Sequence, residues 1–444
     1  MIFGSSRLWR IGITLGLAGL VVGFLSPRSP HRGAGPSILD LMAGGVGAAG
    51  AQEQSGPYSA YTEAMAILRK EYAGAPLDAK KTRELTYAAI EGAVASLNDP
   101  FSSFLDRDEW LQMQQTTQGS FEGIGAVLEP FGRDVRVVRL VPKSPAYRAG
   151  IKAGDIILSV GVHDHQTGKL LRTVTTLGKN INDVVKMIKG PGGTRVTVTM
   201  MRKGATQPIG FQMVRAHIEP VIVSHWMVDP VNKIGQIMLA EFNEKSDEQF
   251  DAALTALEKQ GLRALVFDIR YNPGGLLPVA ESIASRFADK GAVVIVQERS
   301  GQRREHPKVA GVRSVRRYPL AVLINENSAS ASEIVAGAIK DHEAGTLIGQ
   351  HTFGKGLVQT LFPLSDGSAL RLTTQRYFTP SGRDINNRYD DEHRPIFGTG
   401  GIKPDIEVKQ SEAWADQDFD DKKNDTQLQK ALEVLRAKLG VISR

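Results

Sequence analysis

Cysteine is absent from all 444 residues. That excludes disulfides, thiolate catalysis, cysteine-ligated metal centres and an acylated lipoprotein anchor. Long apolar runs are scarce too. The best of them, Ile11 to Leu25, follows Arg7 and Arg10, is short for a full membrane span and suits a signal-peptide core. Charge imbalance is small: +6 over this length is weak support for nucleic-acid binding, and no RNA- or DNA-binding signature accompanies it. No internal repeat stands out. What remains is an ordinary folded composition, 41% hydrophobic and 23% charged, in a chain long enough for two or three domains with real cores.

The chain divides by texture. Residues 1–51 read as a signal peptide or membrane anchor. The small-residue site Ala49-Gly50-Ala51 lies far downstream for ordinary cleavage, so export is expected, with an uncleaved anchor as the alternative and a buried N-terminal helix as the structural reading. Residues 26–57, rich in Gly, Ala, Pro and Ser, read as a linker or processed piece. Residues 52–105 carry two helical patterns, one with Tyr58, Tyr61, Met65 and Leu68 on a face, the other with Leu85, Ala89, Ala93 and Leu97, stopped by Asn98-Asp99-Pro100. Residues 106–205 form a small β-rich module, with strand-like runs at Val135–Leu140, Ile156–Val160 and Arg195–Met201 and a short helix from Asp183 to Ile188. From 206 to 410 strands alternate with helices, including the continuous apolar strands Ala264–Ile269, Val293–Val296 and Leu320–Ile324, which argues an α/β core. The last part, 411–444, is a charged stretch and then a helical stripe of Leu428, Leu432, Leu435 and Leu439, suited to docking or self-association.

Chemistry concentrates where Leu320–Ile324 runs into Asn325-Glu326-Asn327-Ser328-Ala329-Ser330-Ala331-Ser332-Glu333. Strand, small-residue turn, hydroxyl and helix start is one way to present a nucleophilic serine. The structural alternative is a helix cap, with Ser330 and Glu333 at capping-box spacing. A serine needs a base, and Phe353-Gly354-Lys355-Gly356 offers a lysine, with Gln359 four residues on to hold the amine. Such a lysine must be neutral, hence dry or beside positive charge. By local sequence alone the reading of Lys355 as a surface turn residue prevails, and Gln359 could be a solvated amide; only the fold can bring Lys355 next to Ser330. Asn272-Pro273-Gly274-Gly275, after a strand, could aim amides at an oxyanion or be a plain turn. Histidine is the rival base. His163 and His165 flank Asp164, and His342 follows Asp341, but no local signature supports a Ser-His-Asp triad, and no third ligand is spaced to make a metal site.

Together, the serine turn, the Phe353–Gly356 stretch with Gln359, and the Asn272–Gly275 turn resemble the carboxyl-terminal processing proteases, over roughly residues 58–410. Asn98–Leu105 and Gly401–Asp405 look like segments of the same family. The resemblance implies an α/β and α+β multidomain chain: an α/β serine protease core at 206–410, an inserted PDZ domain at 106–205 and an N-terminal helical segment. It implies Ser330 as nucleophile, Lys355 as general base, Gln359 as its orienter, and the amides of Gly275 and Ala331 as oxyanion hole, with Gly274 an adjacent alternative to Gly275. Phe121-Glu122-Gly123-Ile124-Gly125-Ala126 looks like a PDZ carboxylate-binding loop, and Val141–Ala146 with Ala149–Asp155 strengthens the match. Gly123, Ile124, Gly125 and Ala126 would then hold the C-terminal tail of a protein substrate. The connection from Gly161 to Asn180 is longer than such modules usually have. No cofactor and no metal are expected, nor nucleic acid as a partner. The family leaves room for an adaptor protein and a homo-oligomer. Membrane association would come only through the N-terminal segment, with the protease outside the cytoplasm, periplasmic or membrane-anchored. The competing functions are a non-catalytic PDZ scaffold and a Ser-His-Asp ester hydrolase.

Overall fold

The computed structural model describes residues 57–164, 166–390, 395–396, 398–411 and 422–440. The expected leader, His165 and part of the acidic run at 416–425 lie outside the described residues.

A six-stranded sheet organises the α/β part. Its order is Val223–Asp229, Ile234–Leu239, Ala264–Asp268, Leu320–Ile324, Thr346–Gly349 and Ile406–Glu407, all parallel except the first strand. Leu320–Ile324 is apolar at every position because both of its faces are covered. Leu320, Val322 and Ile324 face a core built with the helices Ser246–Lys259, Leu277–Ser285 and Ala331–Asp341. Ala321 and Leu323 face the opposite side, where the helix Thr426–Lys438 packs Leu428, Ala431, Leu432 and Leu435. The C-terminal leucine stripe therefore docks on its own chain.

A second, antiparallel sheet holds Leu357–Pro363, Ala369–Phe378, Ala292–Gln297, Arg303–Pro307 and Ser103–Leu105. Here the structure differs from the sequence expectation, which puts Val293–Val296 in the alternating core. Its apolar run says that both faces are covered; it does not say by which sheet. The N-terminal segment joins this sheet through Ser103–Leu105. The helix Pro57–Glu71 forms, but Tyr58, Tyr61 and Leu68 on its apolar face stay exposed.

The β-rich module has its own core, with Ile124, Val137, Ile157, Val160, Val184 and Val198 fully or almost fully buried. Its sheet runs Ala126–Phe131, Asp134–Leu140, Ile156–His163, Arg195–Met201 and Ile209–Val214. The module's entering and leaving segments pair with each other, Phe121–Gly123 against Ala216–Ile218, forming a two-stranded stem. The long connection after Val160 extends its strand to His163 and folds back as Leu170–Thr175.

Candidate active site

In the parallel sheet, Asn272–Gly275 follows the C-terminal end of Ala264–Asp268 and the serine turn follows that of Leu320–Ile324. The two loops are stitched together. Ala329 donates its N–H to Asn272 O (3.0 Å), and Ser332 Oγ donates to the same carbonyl (2.9 Å). Ser328 Oγ donates to Ile269 O (2.8 Å) and accepts from Asn325 N–H (3.0 Å). The outer serines are thus structural. Ser330 differs from both. Its φ of +57° and ψ of −112° place it where residues with a Cβ seldom go, at the start of the helix Ala331–Asp341. Its Oγ is buried and makes no hydrogen bond. The carboxylate half of a capping box does form, since Glu333 Oε2 accepts Ser330 N–H at 2.9 Å, but the hydroxyl is left unused.

The glycine loop lies against this turn. A Cβ placed on Gly274 would come within 2.8 Å of Ser330 Cβ and 2.9 Å of Ala331 N. One on Gly275, whose φ is +147°, would lie 2.0 Å from Phe242 O. Gly274 N–H is consumed by Asn272 Oδ1 (2.9 Å), whereas the N–H groups of Gly275 and Ala331 donate to no described residue. Of the two glycines, Gly275 is the one with a donor to spare.

Lys355 enters from the other sheet, just before Leu357–Pro363. It is only 2% exposed. Its ammonium lies 4.5 Å from the Phe101 ring centroid. Burial, aided by the nearby Arg371 cation and opposed by Glu333 and Asp99, lowers its pKa from 10.5 to about 7. Glu333 ties the two halves together. Oε2 accepts the N–H groups of both Ser330 and Lys355 (2.9 Å each), and Oε1 accepts from Gly354 N–H (2.7 Å) and Thr352 Oγ1 (2.6 Å). The buried Tyr377 hydroxyl repeats the tie from the carbonyl side, bonding to Ser330 O (2.8 Å) and to Lys355 O. Gln359 is 1% exposed. Its Nε2 donates to Thr373 Oγ1 (3.3 Å), and its Oε1 has no hydrogen-bond partner, so the bond to Lys355 that the resemblance implies is not made here.

Sequence reasoning missed three of these residues. Glu333 was visible only as a cap, and Tyr377 and Phe101 carried no local signal. The Asn98–Leu105 segment was singled out, but not the ring it lays on the lysine.

The histidines sit elsewhere. His342 closes the far end of the helix that Ser330 begins, about 18 Å away at 1.5 Å per residue, and its Nε2 pairs with Ala292 O (2.7 Å). Both ring nitrogens of His163 are occupied within the β-rich module, by Gly168 O (3.0 Å) and Thr197 Oγ1 (2.9 Å). Among the described residues no cluster of His, Asp or Glu is arranged to hold a metal ion.

In the β-rich module, Gly125 has φ +76°, and a Cβ there would lie 2.3 Å from Ser144 Cβ. The carbonyls of Ile124 and Gly125 turn inward to accept from Ala146 N–H (2.8 Å) and Val141 N–H (2.9 Å). The N–H groups of Ile124 and Gly125 then donate to no described residue. The loop leads into Ala126–Phe131, an edge strand with the helix Ile181–Ile188 packed beside it.

Comparison with known proteins agrees with this layout. Residues 233–408 match the peptidase family S41 and residues 136–164 match a PDZ domain. The chain is 36% identical over 349 residues to a carboxy-terminal-processing protease of Bartonella bacilliformis, covering 77% of this chain and 73% of that one. It is 33% identical over 348 residues to a carboxyl-terminal-processing protease of a Synechocystis strain, covering 78% and 75%. Among solved structures it is 32% identical to a photosystem II D1 C-terminal processing protease, covering 79% and 86%, with a TM-score of 0.45. With a peptidase core and a PDZ module both matched, the chain belongs to peptidase family S41, among the carboxy-terminal-processing proteases, which are serine-type peptidases.

Proposed function

We propose that the chain is an exported endopeptidase that cuts protein substrates with a Ser330–Lys355 dyad through an acyl-enzyme. The observation that carries this reading is Lys355: a buried amine with a pKa near 7, fastened through Glu333 and Tyr377 to the backbone of the serine. Neutral Lys355 takes the Ser330 proton as Oγ attacks the peptide carbonyl. The oxyanion is held by the Gly275 and Ala331 N–H groups. Collapse breaks the C–N bond, and the lysine returns the proton to the departing amine. Water then hydrolyses the ester with Lys355 again as base. In resting enzymes such hydrogen bonds are often unformed and tighten only with substrate, which accommodates the unpaired Ser330 Oγ and Gln359 Oε1. Gln359 would hold the amine in that state.

A PDZ domain binds C-terminal tails. Here the free N–H groups of Ile124 and Gly125, within the Gly123–Ala126 loop, would take the terminal carboxylate while the tail adds as a strand along Ala126–Phe131. Export rests on Arg7, Arg10 and the apolar run Ile11–Leu25.

The test is cleavage of a denatured reporter protein by purified wild type, Ser330→Ala and Lys355→Ala, with a fluorophosphonate probe labelling Ser330. Both variants are expected to fold and to lose cleavage, by roughly 10⁴-fold or more. Undiminished proteolysis by Lys355→Ala would sink the dyad.

A further inference from the structure

The C-terminal helix reaches the loop that carries Gly275. Arg270 leaves the strand Ala264–Asp268 two residues before Asn272 and is 2% exposed. One side of its guanidinium is gripped by Asp268, through Nε to Oδ1 (3.0 Å) and Nη2 to Oδ2 (2.7 Å). The other side is gripped by Asp425, through Nη1 to Oδ1 (2.9 Å) and Nη2 to Oδ2 (2.7 Å), with Gln427 Oε1 accepting from Nη1 at 3.1 Å. Asp425 is also the N-cap of the helix Thr426–Lys438, accepting from Leu428 N–H at 3.0 Å. Bidentate ion pairs on both edges leave a planar guanidinium one orientation.

The backbone that follows has little freedom of its own. Tyr271 has φ +59°, and its N–H is held by Asn325 Oδ1 (3.0 Å), from the serine turn. Asn272 then caps Gly274 N–H and anchors Ala329 and Ser332. A strained turn persists only where its surroundings over-determine it. Arg270 is the side chain that fixes it from the sheet side, and half of what fixes Arg270 comes from the C-terminal helix.

We propose that Asp425 is a positioning residue for peptide-bond cleavage: by closing the buried Asp268–Arg270–Asp425 set, the C-terminal helix holds the Asn272–Gly275 loop in register with Ser330. The inference rests on the oxyanion role proposed for Gly275. It gives Asp425, at the head of the C-terminal helix, a part in holding the site, while the leucines of that helix cover the sheet.

Asp425→Asn separates the two roles. Asparagine is as good an N-cap as aspartate, so the helix start survives. It cannot present two acceptors to the guanidinium, so the grip on Arg270 fails. The comparison variant is Leu428→Ala, which loosens the same helix through packing and leaves the charges alone. In the full chain, Asp425→Asn is expected to lower kcat roughly 30-fold, below the roughly 10²–10³-fold loss that follows removal of an oxyanion donor itself. Fluorophosphonate labelling of Ser330 should slow in parallel, KM should stay within about twofold, and Asp425→Glu should recover part of the loss. Leu428→Ala should lower Tm at least as much and keep kcat. Wild-type kcat in Asp425→Asn overturns the proposal, as does an equal kcat loss in Leu428→Ala. Ser330→Ala is assayed alongside: if it still cleaves, the reading beneath the proposal fails, whereas an inactive Ser330→Ala with an unimpaired Asp425→Asn removes this inference alone.

Discussion

The serine turn hangs from a parallel sheet and is held by its own neighbours, whereas the lysine arrives from an antiparallel sheet and is held by strangers. Ser328, Ser332, Asn325 and Asn272 lie close to Ser330 in sequence or on the adjoining strand end, and the side chains of the first three with the backbone carbonyl of Asn272 fasten the turn around it. Lys355 is placed by Glu333 from a helix, Tyr377 from the next strand and Phe101 from the N-terminal segment. The contrast follows from what each group needs. A serine needs one hydroxyl aimed in a fixed direction and left unbonded, which a strained turn can supply. A lysine base needs the loss of water and a neighbouring cation, which no single segment can supply. The local part of a nucleophile is geometry; the non-local part of a base is its pKa.

The comparison breaks most sharply at the serine side. Gly275→Ala would press a Cβ to 2.0 Å from Phe242 O and displace the loop. Loss of the donor is expected to reduce kcat by roughly 10²–10³-fold with KM for a reporter protein little changed, measured by steady-state cleavage. Glu333→Gln attacks the joint between the halves. The carboxylate accepts four hydrogen bonds, two of them on Oε2, and an amide can accept at only one end. An expected fall in kcat of roughly 10²-fold, with about 2–3 kcal/mol lost from stability in urea melts, would show that serine and lysine are placed as one unit. An unchanged kcat would mean that each half stands alone.

That division also explains what could be read from the sequence. The α/β alternation, the PDZ loop and the S41 signatures were legible because strands, glycine turns and small-residue turns are encoded within a few residues. Gly125 and Gly275 have backbone conformations or close neighbours that only glycine allows, so they leave a local mark. Lys355 had none, and alone it looked like a turn residue. Tyr377, Phe101 and the Arg270–Asp425 pair were invisible, because each acts on a partner far along the chain and looks ordinary where it stands. Val293–Val296 shows the same limit at the level of fold: an apolar strand declares burial but not which sheet buries it. The exposed tyrosines of Pro57–Glu71 are the converse, a good amphipathic pattern with nothing of this chain laid on its apolar face among the described residues.

An effect of opposite sign is expected in stability. The folded pKa of Lys355, about 7, lies below its ordinary 10.5. Between those values the unfolded chain binds a proton that the folded chain does not, so stability rises with pH across that window. Below about pH 7 the full cost of the buried ammonium is carried. Lys355→Met should therefore inactivate the enzyme yet stabilise it by on the order of 3 kcal/mol at pH 6, the gain fading toward pH 10. Thermal melts across that range check it. Stabilisation that does not vary with pH would mean that packing, not charge burial, is what the lysine costs.

The smallest change tests the lysine side alone. The Phe101 ring has two opposing effects on the amine 4.5 Å from its centroid. It excludes water, which favours the neutral form, and its face attracts a cation, which favours the charged form. Desolvation is the largest cause of the Lys355 shift, so exclusion of water should win. Phe101→Ala admits water, raises the lysine pKa toward its ordinary value, and leaves less of the neutral base near pH 7. The rising limb of kcat/KM should accordingly move up by about one pH unit, with activity near pH 7 falling about five- to tenfold and the plateau above pH 9 retained. A limb that moves down instead would show that the ring holds the ammonium rather than drying it, and that Arg371, on the adjacent strand, does most of the work of neutralising the base.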